Sequence, residues 1–368
     1  MIQVRLYQKC CGFLTLPTAF LSLNLPHKMN RTELNSLGEF GMINRISQRF
    51  PITNSQTALG IGDDAAAIKA DGQVLVSKDL LLEGVHFDLS YFPLKHLGFK
   101  AVTVGVSDII AMNAVPTQVL IGVAMSNRFS VEALDELYSG IKAACDFYQV
   151  DLVGGDTTSS RSGLVISVTA IGMAKPEQIV KRSTAKAHDI ICLTGDIGAA
   201  YLGLQVLERE KQVFLTDSNM QPELSGKDYV LERQLRPQAR LDWLNRLRTL
   251  NIVPTAMIDV SDGLASEILH LCGQSKTGAI IYEERLPIDN HTFLAAEDLN
   301  INPLTAALNG GEDFELLFTV SQADYAKIEM ETDLSIIGYM SAEASVVDII
   351  TKSGNSYAIK AQGFKLED

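Results

Sequence analysis

Residues 254–264, PTAMIDVSDGL, change character halfway. PTAMID reads as a short strand ending at Asp259, and from Ser261 and Asp262 onward the pattern turns helical. The unit is thus a strand that delivers one aspartate and gives way to a helix opening on another. Outward from it the same mixture recurs. Residues 189–194 (DIICLT) read as a strand, followed by a Gly195/Gly198 turn and a helix near 198–209. Residues 227–250 read as helical and charge-rich, and strands are expected at 278–283, 314–320, 334–339 and 345–351. In the first half, residues 33–50 place Leu37, Phe40, Ile43 and Ile46 at helical spacing. A strand at 73–78 runs into Asp79, a helix at 96–112 carries Asp108, and a strand follows at 117–126. A helix at 130–148 has Ser130 as its N-cap. A short strand at 150–153 leads to the turn Gly154–Thr158, and another strand spans 164–172. Strands and helices mixed through both halves give an α/β (α+β) fold class.

The chain has 368 residues, more than a single core usually organises, so two domains are expected. Residues 173–187 are polar, with Pro176 and several lysines, and are read as the linker. The expected division is an extension at 1–33 outside the folded domains, an N-terminal domain at 34–172 and a C-terminal domain at 188–368. Residues 12–25 (GFLTLPTAFLSLNL) are apolar but too short to span a bilayer, and Pro17 interrupts them. No membrane association is expected. The net charge of -13 and the lack of any Lys/Arg run argue against nucleic acid as a partner. The five cysteines form no CxxC pair, and Cys145, Cys192 and Cys272 lie in apolar segments. That usage fits a reduced, cytoplasmic protein without a zinc site.

The acids concentrate beside glycines and at element ends. Asp63 and Asp64 follow Gly60-Ile61-Gly62, Asp156 follows Gly154-Gly155, and Glu312 and Asp313 follow Gly310-Gly311. Glycine lets backbone N–H groups approach phosphate oxygens, and aspartate is a short, hard oxygen ligand suited to Mg²⁺. Two carboxylates ~4 Å apart repel by about 4 kcal/mol even at an effective dielectric near 20, so a cluster of them needs cations. Each motif also has a plain structural reading: Asp-Asp after glycines is a turn, and Asp262 before a helix is an N-cap. Asp108 inside an apolar helix is harder to read that way, because a buried acid needs a partner. Gly226-Lys227 is not a P-loop, since Asp228 follows it and Gln221 stands where the first glycine belongs. Gly60-x-Gly62 lacks the third glycine of a dinucleotide fingerprint.

Taken in order, several strings resemble the thiamine-monophosphate kinase family. They are Gly60–Ala65, Ser77-x-Asp79 with Glu83–Phe87, Ser107-Asp108-x-x-Ala111-Met112, Gly154–Thr158, Ile258–Leu264 and Gly310–Leu316. They cover roughly residues 35–364. The resemblance implies a two-domain aminoimidazole-ribonucleotide-synthetase-like fold. Its N-terminal sheet would form a barrel across a homodimer, and its cleft would lie between the domains. It further implies that Asp64, Ser77, Asp79, Asp108, Asp156, Asp259 and Asp262 hold several Mg²⁺ ions. Gly155, Asp156, Arg182 and Ser261 would contact ATP, and His86 and Glu312 would contact thiamine monophosphate. The implied reaction is ATP-dependent phosphorylation of thiamine monophosphate to thiamine diphosphate, with no general base.

Three departures from the family pattern stand out. Lys78 replaces a usual threonine and Gly105 a usual asparagine, and Phe364 is what remains of an aromatic-rich end. Sister enzymes of the superfamily fit less well. Selenophosphate synthetase needs a reactive Cys near a Gly-rich N-terminal loop, and the hydrogenase-maturation member needs a C-terminal Cys. A non-catalytic nucleotide-binding dimer is the rival of a different class.

Overall fold

The computed structural model describes residues 32–33, 36–62, 65–217 and 219–361. Residues 1–31 of the expected extension, together with Cys10, Cys11, Asp63, Asp64 and Phe364, lie outside the described residues.

The first half runs α1 (Gly38–Ser47), β1 (Thr57–Leu59), β2 (Ala67–Ile68), β3 (Gln73–Leu82), α2 (Leu94–Ala111), β4 (Val115–Met125), α3 (Val131–Tyr148), β5 (Asp151–Ser159) and β6 (Val165–Ala174). Strands β3, β6, β4 and β5 form one sheet in that order, antiparallel except for the β4–β5 pair. Along β3, Leu75, Ser77, Asp79 and Leu81 alternate with Val74, Val76, Lys78 and Leu80. The first set faces α2, which packs on β3, β4 and β6. The second set is exposed, with Val76 at 63% and Leu80 at 54%. One face of this sheet is therefore covered and the other is open.

The second half runs β7 (Ile190–Thr194), α4 (Ala199–Thr216), α5 (Asp228–Leu235), α6 (Leu241–Thr249), β8 (Ala256–Asp259), α7 (Leu264–Ser275), β9 (Gly278–Tyr282), α8 (Asn290–Leu299), α9 (Pro303–Asn309), β10 (Leu316–Val320), β11 (Leu334–Ser341), β12 (Val347–Ile350) and β13 (Ser356–Ala358). Its sheet has the order β13-β12-β9-β11-β7-β10-β8, with only β9–β12 parallel. Helix α2 also reaches β8 and α5, so it lies between the two halves and is buried on nearly every side. One apolar cluster runs from Leu81 and Ile109 through Leu202 and Trp243 to Phe318. Cys145, Cys192 and Cys272 are buried free thiols. Among the described residues no helix is long and apolar enough to cross a membrane.

The structure corrects several local readings. Asp79 sits inside β3, paired with Val168, rather than at a strand end. The expected turn Gly154–Thr158 is extended strand, because β5 runs on to Ser159. A Cβ on Gly155 would lie 2.0 Å from Ile121 O, so glycine lets β5 approach β4 next to a bulge at Val119/Leu120. The helical stretch 227–250 is two helices, separated by residues that include Pro237. Gly263 (φ 99°), not Asp262, is the N-cap of α7. Strand β13 was not anticipated.

Helices α2 and α3 approach through small residues. A Cβ at Gly98 would lie 2.1 Å from Leu137 O, and one at Gly140 would lie 1.8 Å from Lys95 O. Gly273 in α7 has open space around it. Gly140→Ala should therefore destabilise by about 3 kcal/mol through overpacking. Gly273→Ala should stabilise by about 0.5–1 kcal/mol through helix propensity. Urea unfolding of the two variants checks this, and equal midpoints would contradict the close helix crossing.

Candidate active site

The site is assembled around α2. Ser77 Oγ–H, from β3, donates to Asp108 Oδ2 on α2 and lies 3.4 Å from Asp79 Oδ2. One residue earlier on the helix, Ser107 Oγ–H donates to Asp259 Oδ2 at the end of β8, at 2.6 Å. Two serines thus link carboxylates from both sheets into the sequence Asp79, Asp108, Asp259. Burial, and then the Asp108 charge, push the Asp79 carboxyl up to about 6. The same two causes, in the same order, raise Asp259, which is 2% exposed. Glu267 on α7 is also raised, to about 8, by burial, and it accepts the Asp262 N–H at 3.1 Å. Arg182 is exposed, and its field reaches Asp259 and Glu267.

Crowded, desolvated oxygen donors with few cationic partners are a donor set that suits Mg²⁺. The structure does not gather all the expected ligands. Among the described residues, no three His, Cys, Asp or Glu side chains form a ready-made cage. Asp64 is outside them. Asp156 pairs with Gly122, which pairs with Ser167, and these residues share the open face of the sheet. Asp79 faces the other way, toward α2. Lys78 also points to the open face, where its Nζ–H donates to Ser167 Oγ. It is therefore not among Ser77, Asp79 and Asp108, although its charge lowers the Asp79 carboxyl as the least of four causes. A Cβ at Gly105 would lie 3.8 Å from Asp79 Oδ2, so the departure at that position does border the acids.

A cavity of about 860 Å³ opens beside this cluster. It is bordered by Asp79 and His86 from the first half and by Ser261, Asp262 and Glu312 from the second. Tyr91, Phe92 and Tyr201 give it aromatic walls. The loop carrying Glu312 is held against residues 260–261. Glu312 N–H donates to Ser261 O at 2.7 Å and Phe314 N–H to Val260 O at 2.9 Å. Glu312 (φ 61°) and Phe314 (φ 52°) both adopt the left-handed region, strain of a kind that gathers at functional sites. Asp313, next to Glu312, has a structural role. It is 1% exposed and accepts the Gly198 and Ala200 N–H groups at the start of α4.

The sequence reading missed two residues that grip Glu312, namely Lys100 and Gln234. A lysine inside an apolar helix was a visible signal for the first, of the same kind as Asp108. Nothing in the sequence marked the second.

His86 Nδ1 accepts the Leu82 N–H at 3.0 Å, so the neutral ring carries its proton on Nε2. Partial burial is the largest influence on its pKa and lowers it; Glu312 opposes the shift and Lys100 reinforces it. Nitrogen NMR should show an Nε2–H tautomer titrating below pH 6.5. A midpoint at or above 6.5 would contradict this environment.

Residues 62–174 match the family of AIR synthase related protein, N-terminal domain. The thiamine-monophosphate kinase of Bacillus subtilis (strain 168) is 35% identical over 335 residues, covering 89% of this chain and 99% of its own length. The structure of thiamine-monophosphate kinase from Stenotrophomonas maltophilia K279a superposes with a TM-score of 0.71 at 29% identity, covering 87% of this chain and 98% of that one. AaThiL complexed with AMPPCP and TMP superposes with a TM-score of 0.67 at 29% identity, covering 89% and 96%. A mixed α/β fold with AIR synthase-type relatives and a cavity flanked by acids are thus joined to near full-length similarity, and the chain belongs to the thiamine-monophosphate kinase family.

Proposed function

We propose that this chain phosphorylates thiamine monophosphate to thiamine diphosphate with ATP and Mg²⁺, by direct in-line transfer, as the last step of thiamine diphosphate formation in the cytoplasm. The observation that carries the reading is the cavity that places His86 and Glu312 beside Asp79, Ser261 and Asp262. The relative complexed with AMPPCP and TMP supports the choice of substrates.

The acceptor is a phosphate monoester, already anionic at neutral pH, so no side chain has to remove a proton from it. His86, neutral with Nε2–H free to donate, and Glu312 orient the thiamine end against the aromatic walls. Arg182 offers a charge-assisted hydrogen bond to an ATP phosphate, and Ser261 a hydroxyl. Gly155 lies on the edge strand β5 and would offer ATP its backbone. Asp64, Ser77, Asp79, Asp108, Asp156, Asp259 and Asp262 would hold Mg²⁺. Held there, Mg²⁺ would supply charge neutralisation for the phosphate groups. The protein's contribution is then orientation and a fixed set of charges.

We further propose that the 34–172 and 188–368 segments act as two domains joined by 173–187, and that two chains pair. The open face of the N-terminal sheet exposes Val74 (48%), Val76 (63%) and Leu80 (54%) in one row, and Asp156 lies on the same face. A second copy packed there, its sheet completing a barrel, would cover this row and enclose Asp156.

Purified protein incubated with ATP, Mg²⁺ and thiamine monophosphate should yield thiamine diphosphate by chromatography, and none without metal. Asp108→Asn and Asp156→Asn should each lower turnover on the order of 100-fold or more. Neither should lower the unfolding midpoint, because Asp108 repels the Asp79 and Asp259 carboxylates and Asp156 is exposed on the open face of the sheet. Near-normal turnover in both would sink the metal assignment. Light scattering should report a dimer, and Val76→Asp should shift it to monomer. A monomeric wild-type chain would remove the pairing.

A further inference from the structure

Lys100 lies within α2 with its side chain 1% exposed. Its Nζ–H donates to Glu312 Oε2 at 2.8 Å, and Nζ stands 5.4 Å over the Phe92 ring. Gln234 on α5 donates from Nε2 to the same oxygen at 3.0 Å. Among the described residues no donor reaches Oε1, and Glu312 borders the cavity with its side chain 30% exposed. Both grips therefore act on the inner oxygen and leave the outer one for the cavity.

A buried ion pair is poor evidence of a stabilising role. Its desolvation cost often cancels the attraction, and apolar replacements of the whole pair are frequently neutral. What such a pair does fix is geometry. Here it ties the helix between the two halves to a loop whose backbone is held in the left-handed region. Gln234 is itself held in place, because its neighbour Arg233 donates to Glu315, just before β10, at 2.9 Å.

We infer that Lys100 and Gln234 are positioning residues. They hold the Glu312 carboxylate so that Oε1 meets the hydrogen-bond-donating, cationic ring end of the substrate rather than its phosphate. This rests on the reading that Glu312 contacts thiamine monophosphate. Lys100 itself, fully buried, touches no substrate atom.

The test is a double-mutant cycle. Lys100→Met and Gln234→Met are each made in the wild-type chain and in Glu312→Gln, and KM is measured separately for thiamine monophosphate and ATP. Each substitution should raise KM for thiamine monophosphate about tenfold in the wild-type chain, with a smaller effect on kcat and on KM for ATP. In the Glu312→Gln background neither should add a further rise. Equal rises in both backgrounds would show a merely structural role and overturn the inference, as would no rise at all. If Lys100→Met does not fold, Gln234→Met decides the matter by the same criterion. If Glu312→Gln alone leaves KM for thiamine monophosphate unchanged, the substrate reading of Glu312 falls and this inference with it. A rise in Glu312→Gln with none in the other two defeats the inference alone.

Discussion

The burial of α2 is the constraint on which the rest of the structure depends. A helix enclosed on nearly every side leaves each of its polar side chains a choice between a partner and a desolvation cost of a few kcal/mol. Four of them find partners on other segments of the chain, while the buried Nδ1 of His96 has no hydrogen-bond partner among the described residues. Lys100 meets Glu312, Ser107 meets Asp259, and Asp108 receives Ser77. Thr103 shares a hydrogen bond with Tyr148 and donates to Pro237 O. Rotating the helix by one residue, ~100°, would break all of these at once. The pairings therefore fix the helix register, and the helix in turn fixes how the acids of the first half meet those of the second.

The carboxylates fall into two groups by how well they are satisfied. Glu315 is 1% exposed but receives Arg233, Arg240 and Thr194, all within 2.9 Å. Asp313 has its two backbone donors. By contrast, Asp259 takes the Ser107 hydroxyl, Asp79 stands 3.4 Å from the Ser77 Oγ that donates to Asp108, and both feel the Asp108 charge. Carboxyls raised chiefly by burial, and then by the Asp108 charge, lower stability at neutral pH, a cost tolerated where function requires it. The contrast identifies the site more clearly than any count of acids does.

Much of this was legible in the sequence. The helix expected at 96–112 is observed at Leu94–Ala111, and Asp108 was marked because an acid in an apolar helix needs a partner. The fold class followed from strands and helices alternating in both halves. Other features depended on contacts that no local pattern reports. Asp79 was placed at a strand end because a polar triplet, Ser77-Lys78-Asp79, reads as one, whereas the strand continues to Leu82. The face on which Asp156 lies was hidden, because it turns on a one-residue register set by the bulge at Val119/Leu120. Glu312 and Asp313 looked alike in one motif, yet one borders the cavity and the other is buried beneath a helix. Lys100 has its partner 212 residues away, a pairing that only the folded chain reveals.

The acids around α2 are proposed to form a divalent-cation site that receives a polyphosphate. Calorimetry of ADP binding near pH 6, with and without Mg²⁺ and in buffers of different ionisation heat, tests it most directly. With Asp79 held up to about 6 and Asp259 also raised in the absence of cations, the account predicts nucleotide binding only with Mg²⁺, accompanied by proton release that fades by about pH 8. Nucleotide binding of equal strength without metal, or binding with no proton release near pH 6, would contradict it.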